Sequence, residues 1–103
     1  MKIIKCLSEK IEEELKDAEA YVDLAMRWRQ DEPEVANLFY QLSTEEMGHV
    51  DKLHKAVSEK ILEYRNKNGD PPREMMTLYE FLHDRHIKEA TEIKIRQGLF
   101  QAA

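Results

Sequence analysis

The strongest constraint on this chain is where its helix breakers fall. Only three prolines and three glycines occur in 103 residues. Apart from Gly48 and Gly98, they gather at two places, Asp31-Glu32-Pro33-Glu34 and Asn66-Lys67-Asn68-Gly69-Asp70-Pro71-Pro72. Proline removes a backbone donor and glycine or asparagine accepts positive φ, so these are turns. The long segments between them carry apolar residues at gaps of three and four, the period of an amphipathic helix. The expected fold is therefore all-α, a single domain over residues 1–103, built as an antiparallel helical hairpin plus a third helix.

Element boundaries follow from capping chemistry. Helix 1 is expected to start near Ser8, an N-cap with Glu9 behind it, and to stop near Asp31. Asp31 and Glu34 have the spacing of a capping box, and Pro33 fits a first turn. Helix 2 is expected from about Glu32 to Tyr64 or Arg65. Helix 3 begins just after the prolines or at Thr77, whose box partner would be Glu80, and ends near Gly98. The short link between helices 1 and 2 makes them antiparallel neighbours.

Charge and composition narrow the function classes. A net charge of -5 argues against nucleic acid and anionic membranes as partners. A mean hydropathy of -0.70, with no run of roughly 20 apolar residues, gives no membrane span. The start Met1-Lys2-Ile3-Ile4-Lys5 lacks the apolar region of a signal peptide. The one cysteine, Cys6, leaves no internal disulfide and no Cys-x-x-Cys site. These features together predict a cytoplasmic protein.

Two of the apolar stripes are interrupted by ligand-type residues. On helix 1 the stripe is Leu7, Ile11, Glu14, Ala18, Tyr21, Ala25, Trp28. On helix 2 Val35, Leu38, Phe39 and Leu42 lead into Glu46 and His49, and Leu53, Ala56, Val57 and Ile61 continue the seam beyond them. A carboxylate on an inward face needs a partner, a proton or a metal. Counted from the turn, Glu14 lies roughly 27 Å back and Glu46 and His49 roughly 21–25 Å forward, so all three are expected at one level. Oxygen donors with one imidazole suit iron or manganese better than copper or a structural zinc. Three ligands are too few to enclose two metals, and a second copy of the chain would double them. A metal-free polar cluster fixing helix register is the competing reading of the same residues.

Other candidates rank lower. Glu80-x-x-His83 lies roughly 18 Å off level with Glu46 about the Gly69 turn, so it cannot join the first group within one chain. Glu45, beside Glu46, is either a surface charge or a spare carboxylate. His54 is expected on the surface, His86 as a packed histidine, and Met75 and Met76 as packing.

Glu14-x6-Tyr21 followed by Glu46-x-x-His49 resembles the helix 1 and helix 2 signature of the ferritin-like superfamily. The nearest likeness is to the encapsulated ferritins, over roughly residues 9–57. The resemblance implies a homodimer that completes a ferritin-like four-helix bundle. Two irons, or manganese, would bind at the shared site, with Glu14 and His49 as terminal ligands and Glu46 bridging. Tyr21 would hydrogen-bond a site carboxylate from behind, and Glu45 would stand beside the site. The implied activity is ferroxidase, Fe(II) oxidised with dioxygen. Higher oligomers and an encapsulin shell are further implied partners, with the shell's interior as the location. The alternative is a metal-free helical self-association or protein-interaction module.

Overall fold

The computed structural model describes residues 1–102. It holds three helices in the order α1 (Lys2–Trp28), α2 (Pro33–Asn68) and α3 (Arg73–Ala102), with no strand among the described residues. The particle is a rod of 56 × 18 × 17 Å. Its length is set by α2, whose 36 residues span about 54 Å at 1.5 Å per residue.

Each helix runs further than its capping residues predict. α1 begins at Lys2 rather than near Ser8, and Ser8 is buried inside it. α2 starts at Pro33 with Glu32 as N-cap and no side-chain cap, so the Asp31–Glu34 box does not form. The Glu32 amide instead closes the turn on the Trp28 carbonyl at 2.8 Å. α2 continues to Asn68, where Gly69 adopts φ 78° and donates its N–H to the Arg65 carbonyl at 3.0 Å. That left-handed residue and the following Pro71-Pro72 end the helix. α3 starts at Arg73, just after the prolines, which is the first of its two expected starts, so Thr77 and Glu80 lie within it. It also passes through Gly98, which caps nothing.

The α1–α2 seam follows a coiled-coil spacing. Ile4, Ser8, Ile11, Leu15, Ala18, Val22 and Ala25 are buried on α1, at alternating gaps of four and three. Ala36, Ser43, Met47, Val50, Val57 and Ile61 are buried on α2. Ala18, Ala25 and Ala36 are fully buried, and their small side chains let the two backbones approach. The seam keeps Ile11, Ala18 and Ala25 of the expected α1 stripe and Val57 and Ile61 of the α2 stripe, but around the ligand-type residues it lies one residue along. Leu15, Val22, Met47 and Val50 occupy it, while Glu14, Tyr21, Glu46 and His49 sit beside it. One residue is about 100° of helix rotation, enough to move a side chain from the seam to its flank.

α3 packs along one side of this hairpin, parallel to α1 and antiparallel to α2. His86 reaches Glu12 at 3.4 Å, and Arg96 reaches Asp23 at 3.2 Å and Glu19 at 3.6 Å. Toward α2, Phe100 stacks on Tyr40 with ring centres 5.0 Å apart. A buried polar link ties all three helices. Gln97 Nε2 donates to Ser43 Oγ at 2.9 Å, and Ser43 Oγ donates to the Ala18 carbonyl at 2.7 Å. Each donor in this link is satisfied, so it fixes the register of α3 without leaving an orphan group.

Candidate metal centre

Glu14, Glu46 and His49 come together. Each offers a ligand atom, and these atoms lie within 4.8 Å of one another. His49 Nδ1 is 3.4 Å from Glu14 Oε2 and 3.6 Å from Glu46 Oε2. The short turn at residues 29–32 sets the level, because it makes α1 and α2 antiparallel and equalises the distances along them. The i,i+3 spacing then stacks Glu46 and His49 on one side of α2.

The group lies on the flank of the seam, opposite the side that α3 covers. The side chains of Glu14 and Glu46 are 18% and 19% exposed, and that of His49 is 52% exposed. Glu46 Oε2 is nonetheless buried and has no hydrogen-bond partner among the described residues. At 3.6 Å the nearby imidazole nitrogen is within ion-pair range but beyond a hydrogen bond. An orphaned buried oxygen costs about 1–3 kcal/mol. The oxygen faces a nitrogen and a second carboxylate, which is the environment a cation would satisfy. By this measure the donor set fits a divalent metal of the iron or manganese kind.

No family model, curated protein or solved structure matches this chain. The site therefore rests on its own geometry.

The surroundings of the group differ from expectation at several points. Tyr21 makes no hydrogen bond to a site carboxylate among the described residues; it stacks on Phe39, with ring centres 6.3 Å apart. Glu45 is exposed and outside the group, as the surface-charge reading of it expects rather than as a spare carboxylate. Leu7, Tyr21, Leu42 and Leu53 are half-buried along this flank, beside the exposed Lys10, Asp17 and Lys52, and Trp28, Val35 and Leu38 are exposed farther toward the 29–32 turn.

Sequence reasoning missed a histidine cluster on the side of the hairpin that α3 covers. His54 is half-buried rather than on the surface, and its ring centre is 5.1 Å from that of His83 and 6.1 Å from that of His86. His86 is buried, as expected, with Nε2 3.4 Å from Glu12 Oε1. A signal was present. His54 and His83 stand almost equally far before and after Gly69, so an antiparallel α2–α3 pair brings them level.

Proposed function

We propose that this chain oxidises Fe(II) with dioxygen at a centre formed by Glu14, Glu46 and His49 together with the same residues of a second copy. The observation that carries this reading is the convergence of the three ligand atoms around a buried carboxylate oxygen that lacks a partner. Two copies would supply four carboxylates and two imidazoles. That is the donor set of the di-iron carboxylate bundles, in which two helices give a Glu each and two give Glu-x-x-His.

The position of the group on the flank supports the dimer. A ligand set centred in the α1–α2 seam would have its own chain on all sides. A set on the flank is open to a neighbour, and the apolar residues around it gain by being covered. An isologous pairing of two hairpins through this face would make a four-helix bundle with α3 of each copy on the outside. The face that binds metal would then be the face that binds the partner.

Each residue has a distinct task. Glu14 and Glu46 supply anionic oxygens that attract Fe(II) and balance the charge gained when it is oxidised. His49 brings a nitrogen donor, held by packing of α2 against α1. Burial of the site between two copies would exclude bulk water and strengthen every charge interaction within it. Iron, as substrate and resident metal, supplies the electrons that dioxygen accepts. Manganese fits the same donors and is the natural competitor. The net charge of -5 makes the surroundings mildly attractive to cations. A cytoplasmic setting, either free or within an encapsulin shell, belongs to the same proposal.

The test is an anaerobic Fe(II) titration followed by air, with dioxygen uptake and near-ultraviolet absorbance recorded beside sedimentation of the same samples. The expected result is a pair of irons per two chains, rapid dioxygen consumption, and loss of both in Glu14→Ala and His49→Ala. A dimer that forms unchanged with no bound metal would instead make the chain a helical self-association module.

A further inference from the structure

We propose that His54, His83 and His86 form a second metal site, for a zinc-class divalent ion, which fastens α3 to the α1–α2 hairpin. The site is separate from the Glu14–Glu46–His49 group in place, since it lies under α3, and in chemistry, since its donors are nitrogen rather than oxygen.

The geometry is that of two helix faces meeting. Asp51 and His54 are one turn apart on α2, and His83 and His86 are one turn apart on α3, so the two pairs face each other across the interface. Zinc binds imidazole nitrogen at about 2.0–2.1 Å, which places each ring centre about 3.2 Å from the ion. Two imidazoles on a tetrahedral ion then have ring centres about 5.2 Å apart. The His54–His83 separation of 5.1 Å matches this spacing. The His54–His86 separation of 6.1 Å is wider by about 1 Å. Among the described residues only the Glu14 group has its donor atoms within 4.8 Å, so the histidines close on an ion by turning their rings. The histidine χ2 torsion is broad enough to allow this.

Further observations point the same way. His83 Nδ1 is buried and has no hydrogen-bond partner among the described residues, a cost that a bound ion would remove. Stacking on Tyr79, with ring centres 5.6 Å apart, holds the plane of His83. Glu12 Oε1 lies 3.4 Å from His86 Nε2, as a carboxylate does when it orients a ligating histidine from behind. That contact leaves Nδ1 as the free nitrogen of His86. Burial and the neighbouring His83 and His86 push the pKa of His54 down, which keeps its ring neutral as ligation requires. A cleft of about 320 Å³ is lined by Asp51, His54 and His83 among others, and provides a way in. Asp51 supplies a carboxylate beside this entrance.

Three imidazoles select zinc, copper or nickel, whereas the oxygen-rich group on the other face selects iron or manganese. The physical consequence concerns α3. His86, Ile93 and Gln97 are its only buried residues among those described, so its hold on the hairpin is weak for a helix of 30 residues. An ion bridging α2 and α3 would add its binding free energy to that hold.

The experiment uses the full chain carrying Glu14→Ala, Glu46→Ala and His49→Ala, stripped with chelator and titrated with Co²⁺, then with Zn²⁺. One Co²⁺ per chain is expected, with the strong visible bands of a low-coordinate nitrogen site that Zn²⁺ abolishes. Zn²⁺ should also raise the unfolding temperature. In the same background His83→Ala and His54→Ala should lose the bands, and Glu12→Gln should weaken binding about 10–100-fold. Circular dichroism of each variant reports whether the helices persist. In the otherwise wild-type chain, His83→Ala should remove one Zn²⁺ per chain and leave the iron stoichiometry unchanged. Failure to take up Co²⁺, or uptake indifferent to His54→Ala and His83→Ala in folded protein, would overturn the proposal and leave a packed, metal-free histidine cluster.

Discussion

Glu46→Met separates the cost of the site from its use. In the metal-free chain Glu46 Oε2 is buried without a partner, and methionine offers nearly the same length with no charge. Removing an orphaned polar group is worth about 1–3 kcal/mol. Because the Glu46 side chain is still 19% exposed, the lower end applies, about 1 kcal/mol. An unfolding entropy of about 2.1 cal/mol/K per residue gives about 0.22 kcal/mol/K for a chain of this length, so Tm should rise by about 5 °C. Redox-silent Mn²⁺ at a hundred times its Kd should stabilise the wild type by about 2.7 kcal/mol, or about 12 °C. The same addition should leave Glu46→Met unmoved. Differential scanning calorimetry at one fixed protein concentration, with chelator and then with Mn²⁺, reads both effects. The reasoning fails if the variant melts below the wild type in chelator, or if Mn²⁺ stabilises the two proteins equally.

Further predictions address the seam, the polar link and acid sensitivity. Leu15→Ala should cost about 2–5 kcal/mol in urea unfolding, since Leu15 is fully buried, while the adjacent Glu14→Ala should not destabilise the metal-free chain. Ser43→Ala removes the acceptor of Gln97 and the donor to Ala18, at a cost of about 1–3 kcal/mol. Hydrogen exchange in that variant should quicken in α3 before it does in α1. Burial, His83 and His86 hold His54 below its unfolded value, while Asp51 acts weakly in the opposite sense. The unfolded chain therefore takes up this proton first. Stability should be full above about pH 6.5 and fall as the pH drops through the lower folded value. In chelator, the Tm of wild type should decline over that range more steeply than that of His54→Gln.

Much of the architecture can be read in the chain because it depends on local chemistry. Pro33 and the Gly69–Pro72 segment interrupt helix wherever they stand, and the rest of the chain has little that would. Helix ends are less legible, because Ser8 and Thr77 lie inside longer helices and Asp31 sits in the 29–32 turn without capping α2. The level of Glu14, Glu46 and His49 follows from a fixed rise per residue counted from a short turn, and the structure places them together. Their orientation differs from the expected inward one, since all three stand beside the α1–α2 seam. Leu42, Leu53 and Ala56 form as good an apolar stripe as Met47, Val50 and Val57, so α2 is apolar over an arc wider than one seam. Hydrophobicity then leaves a rotation of about 100° undetermined.

What the sequence settles by itself is therefore the helices, their antiparallel order, and which residues share a level, since breakers and helical rise act along the chain. Only tertiary packing decides which side of α2 meets α1 and which meets α3. That choice comes from the close approach of Ala18, Ala25 and Ala36 and from the Gln97–Ser43–Ala18 link, contacts between residues far apart in sequence. It sets the carboxylate-rich group on an open flank and gathers three histidines beneath α3, because rotating a helix moves every side chain on it at once.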